Sequence, residues 1–119
     1  MQLLYESSLE NGEHPGMGIL PGRVVPFTGP LKVPHMGWNA LAFHGDSPLF
    51  RGISQGSYVY FVHSYYVPYG GDPGFQGATA EYGVSFTAAV QKDNLFATQF
   101  HPEKSGEVGL QMLRNFAAI

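Results

Sequence analysis

The chain has 119 residues, 44% hydrophobic and 13% charged, with a net charge of −3. That is enough apolar material for one globular domain of ordinary size and argues against disorder. Six Lys and Arg give no electrostatic footprint for nucleic acid, no apolar run approaches a membrane span, and the absence of cysteine removes disulfides and thiolate metal sites.

Taken in order, MQLLYESSLE has neither the basic start nor the cleavage site of a signal peptide, so a cytoplasmic location is expected. Leu3 and Leu4 ahead of Asn11-Gly12 predict a helix over Met1–Leu9, closed by a C-cap glycine but lacking an N-cap residue. Glu13–Gly22 is dense in Gly and Pro and reads as loop. Arg23–Phe27 has strand composition, which Pro26 confines to an edge or a strand end, with Leu31–Val33 continuing it. Pro34–Asn39 (PHMGWN) is a compact segment whose Pro, Gly and Asn favour a loop. Ala40–Phe43 reads as a short strand and Gly45–Gly56 as a turn-rich connection. Ser57–Val67 (SYVYFVHSYYV) is the strongest strand, β-branched or aromatic almost throughout.

Tyr69–Gly74 is a loop, Gly77–Tyr82 and Phe86–Gln91 are strands, and Asp93-Asn94 turns tightly into a strand over Leu95–Phe100. Gly106–Ala118 closes the chain as an amphipathic helix with Val108, Leu110, Met112, Leu113 and Phe116 on its apolar face. No repeat or linker divides the chain, so residues 1–119 form one α/β or α+β unit. A sheet with a single terminal helix leaves one face uncovered, and something else must pack there.

Polar clusters fall where strands end. Pro102 stops the Leu95–Phe100 strand and places His101 and Glu103 in a turn at its carboxyl end. There an imidazole beside a carboxylate can serve as the base and orienter of a nucleophilic triad, or form a turn without chemistry. His35, His63, His101 and Glu103 could instead ligate a metal, although no recognisable ligand spacing joins them. A hydrolase using Ser64 or Ser105 is a further reading, weakened by the absence of a nucleophile elbow around either. His14 and His44 read as solvated loop residues, and Trp38 as either a core residue or an exposed anchor.

Three segments carry a family resemblance: VPHMGWN, YFVHSYY and QFHPEKSGEVGLQMLRNF, in that order along the chain. With them the whole chain resembles the glutamine amidotransferase subunits of imidazole glycerol phosphate synthase, a class I, triad-type family acting in histidine biosynthesis. The resemblance implies the C-terminal half of a doubly wound, flavodoxin-like α/β domain. MQLLYESSLE resembles the stretch that directly follows the family's nucleophilic cysteine, so that cysteine and the N-terminal half are expected to lie upstream of Met1. The chain as it stands is accordingly expected to be inactive and poorly folded alone.

Carried over by position, His101 matches the general base and Glu103 its orienting carboxylate. Gln2 and Glu10 match residues that hold the substrate glutamine, and His63, Ser64 and Tyr65 match the strip against its backbone. Pro34, His35, Met36, Gly37, Trp38, Asn39, Tyr60 and Lys104 match positions facing a cyclase (β/α)8-barrel partner in a heterodimer. The resemblance implies no cofactor and no metal. Two alternatives stand beside it: a non-catalytic module docking on the cyclase, and a small serine hydrolase using Ser64.

Overall fold

The computed structural model describes residues 1–10, 12–71 and 73–119. Its strands in chain order are β1 (Tyr5–Ser8), β2 (His14–Pro15), β3 (Leu20–Pro26), β4 (His35–Ala40), β5 (Ala42–His44), β6 (Tyr58–His63), β7 (Tyr65–Tyr66), β8 (Gly77–Glu81), β9 (Ser85–Lys92) and β10 (Leu95–Thr98), followed by helix α1 (Gly106–Ala117). They form three sheets, ordered β2-β1-β3-β7, β10-β9-β8-β5 and β4-β6. Among the described residues only β1 and β3 pair in parallel. Thr87 N–H donates to Val67 C=O at 2.9 Å and joins the first sheet to the second.

The N-terminal segment is not the expected helix. Gln2–Leu4 makes one 3-10 turn and Tyr5–Ser8 is a strand. Tyr and Ser favour helix weakly, and no N-cap side chain satisfies the first amides. Pairing with β3 on one side and β2 on the other offers the same backbone a full ladder and buries Tyr5. The expected C-cap at Asn11-Gly12 includes Asn11, which lies outside the described residues, as does Asp72 of the Tyr69–Gly74 loop.

PHMGWN is likewise a strand where a loop is expected. His35 faces inward at 2% exposure, whereas Met36 and Trp38 are 61% and 53% exposed. That alternation has the period of a pleated sheet, and β4 pairs antiparallel with β6 over its whole length, from His35↔His63 to Ala40↔Tyr58. The segment opens at a cis Val33-Pro34 bond, and Leu31–Val33 does not continue β3. Ala40–Phe43 is not one strand: the chain changes partner at buried Leu41, from β6 to β8.

The long aromatic run Ser57–Val67 also divides, at Ser64. Its first part pairs with β4 and its second with β3, so one hydrophobic sequence serves two sheets. Ser64 C=O, at the corner, accepts from Phe27 N–H at 3.2 Å. His44, expected in a loop, lies on β5 and its Nε2 is 2.9 Å from Thr79 Oγ1. His14 is an exposed residue of β2.

The main core gathers Phe27, Leu41, Phe50, Val59, Phe61, Phe86, Phe100 and Met112, with small Ala78, Ala80, Ala88 and Ala89 between the strands. A second cluster holds Tyr5, Leu20, Val24, Val67 and Val90. Gly77 is required by close approach: a Cβ there would lie 2.2 Å from the Ala89 carbonyl oxygen. On α1 Met112 is 1% exposed, but Leu110, Leu113 and Phe116 are 40%, 44% and 56% exposed. The apolar face of the helix is therefore only partly covered. No helix among the described residues is long and apolar enough to cross a membrane.

Candidate active site

The hairpin β9–β10 delivers the turn that carries His101 and Glu103. Strand β10 ends at Thr98, and Gln99 N–H still donates to Ala88 C=O at 2.7 Å. His101 then adopts an extended conformation, φ −102° and ψ 99°, as a residue before proline must, and Pro102–Lys104 forms a 3-10 turn. His101 N–H donates to Tyr60 C=O at 3.1 Å. Ser105 Oγ donates to His101 C=O at 2.6 Å and accepts from Tyr60 N–H at 3.0 Å. Ser105 is 2% exposed. It pins the turn to β6, and this buried, doubly bonded hydroxyl is not a nucleophile.

His101 Nδ1 lies 2.8 Å from Glu103 Oε1. With the carboxylate ionised, Nδ1 carries the proton and Nε2 keeps its lone pair, the tautomer a general base needs. The Glu103 backbone N–H and then the His101 ring hold the Glu103 carboxyl below the usual carboxylate range. Helix α1 packs tightly on this turn. A Cβ on Gly109 would come within 1.8 Å of the Pro102 carbonyl oxygen, so only glycine allows the approach.

Beside this turn lies an open cleft of about 600 Å³ lined by Met1, Gln2, Leu3, Glu10, Val62, His63, Ser64, Tyr65 and Gln99. All five residues expected to hold glutamine (Gln2, Glu10, His63, Ser64 and Tyr65) line it, whereas His101 and Glu103 are not among its walls. Gln99, two residues before His101, is the link between them. Gln2 Nε2 donates to Tyr65 C=O at 2.9 Å and to Gln99 Oε1 at 2.8 Å. A polar residue inside LFATQF was the signal that could have singled Gln99 out.

His63 lines the cleft with its ring nitrogens turned to protein partners. It is 7% exposed, its Nδ1 lies 2.9 Å from Tyr65 C=O, and its Nε2 lies 2.9 Å from His35 Nδ1. Both ring nitrogens are thus committed, so this side chain has neither a nitrogen to activate Ser64 nor one to ligate a metal. Burial among Phe27, Phe61 and Phe86 lowers its pKa to about 4, against the pull of the Tyr65 carbonyl. No group of three or more His, Asp or Glu among the described residues is arranged to hold a metal ion.

The residues expected to face a partner divide into two sets. Pro34, Met36, Trp38 and Lys104 are exposed, and Gly37, Asn39 and Tyr60 are half-buried. Trp38 stands directly opposite Tyr60 in the β4–β6 ladder, with the rings edge-to-face at 5.9 Å. His35 points inward, stacked between Tyr82 at 4.1 Å and Phe61 at 5.3 Å. Burial lowers its pKa, partly offset by Asn39, whose Oδ1 lies 2.7 Å from His35 Nε2.

A family model for class-I glutamine amidotransferases matches residues 1–119. The chain belongs to this family. It is 52% identical over 119 residues to imidazole glycerol phosphate synthase subunit HisH of Caldanaerobacter subterraneus, covering 100% of the chain and 58% of the relative. The protein of the same name from Geobacillus kaustophilus is 54% identical over 125 residues, again covering 100% of the chain and 58% of the relative. That from Methanocaldococcus jannaschii is 48% identical over 119 residues, covering 100% of the chain and 60% of the relative. The chain thus spans somewhat more than half the length of these amidotransferase relatives. Its mixed α/β architecture is that of a partial class-I amidotransferase domain.

Proposed function

We propose that this chain is the base-bearing and glutamine-binding part of the glutaminase subunit of an imidazole glycerol phosphate synthase. The observation that carries the reading is the 2.8 Å His101–Glu103 pair, held rigidly next to a polar cleft that contains Gln2, Glu10 and Tyr65. In the working enzyme a cysteine thiolate activated by His101 attacks the glutamine carboxamide, His101 passes its proton to the leaving ammonia, and water then hydrolyses the glutamyl thioester. Ammonia passes to a cyclase barrel seated against Trp38 and Lys104, in a cytoplasmic heterodimer. The 119 residues contain no cysteine, so the nucleophile comes from outside them and the chain alone hydrolyses no glutamine.

The test begins with the nucleotide sequence upstream of the Met1 codon. An in-frame Gly-x-Cys-x-Gly is expected, together with ammonia release from glutamine by the protein so encoded that His101→Asn abolishes. A stop codon in that frame with no such cysteine sinks glutamine hydrolysis. A second reading, a docking module without glutaminase activity, is favoured by the exposure of Trp38. It requires that the chain bind the cyclase and that Trp38→Ala prevent this.

A further inference from the structure

A single line of hydrogen-bonding groups crosses the interior from strand β4 to the cleft. Asn39 Nδ2 donates to Glu81 C=O at 2.9 Å, and Asn39 Oδ1 lies 2.7 Å from His35 Nε2. His35 Nδ1 lies 2.9 Å from His63 Nε2, and His63 Nδ1 lies 2.9 Å from Tyr65 C=O. The same carbonyl accepts from Gln2 Nε2, which also donates to Gln99.

The direction of the buried links is set from the Tyr65 end. A carbonyl only accepts, so His63 Nδ1 carries the proton. In a neutral ring Nε2 is then an acceptor, so the His35 link is Nδ1–H donating to it, His35 Nε2 is unprotonated, and Asn39, at the exposed end, meets that nitrogen with its Nδ2 in place of Oδ1 and leaves Glu81 C=O to solvent. Gln2 behaves in the same way: its nitrogen must donate to Tyr65 C=O, so Gln99 presents its oxygen. With both amide protons committed, Gln2 meets a ligand through Oε1, which accepts from donors such as an ammonium group.

Resting on the reading of Gln2 as a substrate contact, we propose that His35 and His63 are positioning residues for the glutamine site: together they hold the Tyr65 carbonyl, and through it the Gln2 carboxamide, from strand β4. Neither touches substrate through a ring nitrogen. His35 selects the His63 tautomer by donating to Nε2, and that tautomer sets the donor at Tyr65. The pair is enclosed by Phe27, Phe61, Tyr82 and Phe86, which keep water from competing for its protons.

The decisive experiment uses 15N-labelled histidine and glutamine in the chain, and in the longer protein that carries the nucleophile, at pH 7. His63 is expected as the Nδ1–H tautomer, opposite to the Nε2–H form that free histidine favours. His35→Leu, which keeps apolar bulk, is expected to release that tautomer and to shift the Gln2 side-chain amide resonances. The same variant should weaken L-glutamine binding by about 10-fold, raising KM more than it lowers kcat. His63→Asn, whose Nδ2 stands where Nδ1 was, should retain affinity better than His63→Gln. An Nε2–H His63, or unmoved Gln2 resonances in folded His35→Leu, overturns the positioning role. Failure of the wild-type protein to bind glutamine overturns the substrate reading of Gln2 and leaves the tautomer result to decide on the pair itself.

Discussion

Gly109 of helix α1 lies directly against Pro102 of the turn that carries His101 and Glu103, with room for a hydrogen and none for a methyl group. A Gly109→Ala side chain would meet the carbonyl oxygen, so either the helix or the turn must move. Overpacking of this kind costs about 1–3 kcal/mol. The expected outcome is a lower melting temperature and a loss of glutaminase activity larger than the stability loss explains, because the displaced turn carries His101. Thermal unfolding alongside ammonia release checks it, and unchanged activity in the folded variant would count against the rigid-turn argument.

Glu103→Gln tests the orienter. The side chain is 58% exposed and its bond to His101 is open to solvent, so stability should hardly change. Activity should fall by about 10²-fold, within the usual range for disturbed general-base catalysis. The amide can no longer stabilise an imidazolium. Kinetics of the nucleophile-bearing protein with glutamine, beside urea unfolding, separate the two effects.

Ser105→Ala should behave in the opposite way. It leaves Tyr60 N–H without its acceptor in a buried place and removes one of two donors to His101 C=O, the Lys104 N–H remaining. A cost of about 1–3 kcal/mol is expected, measured by denaturant unfolding. Residual activity at saturating glutamine would agree with a structural hydroxyl, whereas complete loss of activity with full stability would revive it as a reacting group.

The buried His63 gives the stability of the fold a pH dependence. Its folded pKa is about 4 and its ordinary value 6.5. Between these values the unfolded chain binds a proton that the folded chain refuses, so stability falls as the solution is acidified. The contribution is complete above about pH 6.5 and largely lost by pH 4, amounting to about 3 kcal/mol. Urea midpoints at pH 7, 5.5 and 4.5 should follow that slope, and His63→Asn should flatten it.

The geometry of the His101–Glu103 pair is readable because it is local. His101, Pro102 and Glu103 are close in sequence, and a proline after a short apolar strand admits few geometries. The strands β8, β9 and β10 and the helix follow their patterns for the same reason. PHMGWN was misread because its residues have turn-forming chemistry, while what makes it a strand is the ladder to β6. The N-terminal residues were misread in the same direction, since β1 exists by virtue of β3 and β2. The His35–His63 contact joins two segments distant in sequence, and no local pattern announces it. Gln99 is the exception: a long polar side chain in the largely apolar LFATQF run is visible locally.

Tyr60 occupies an unusual place in this arrangement. Its ring meets Trp38 on the open face of the protein, and its two main-chain groups hold the turn that carries His101. One residue therefore forms a short mechanical lever between the outer surface and the proposed base, His101. Whatever rests on Trp38 bears on the base through one side chain and one peptide group, with no long relay across the domain.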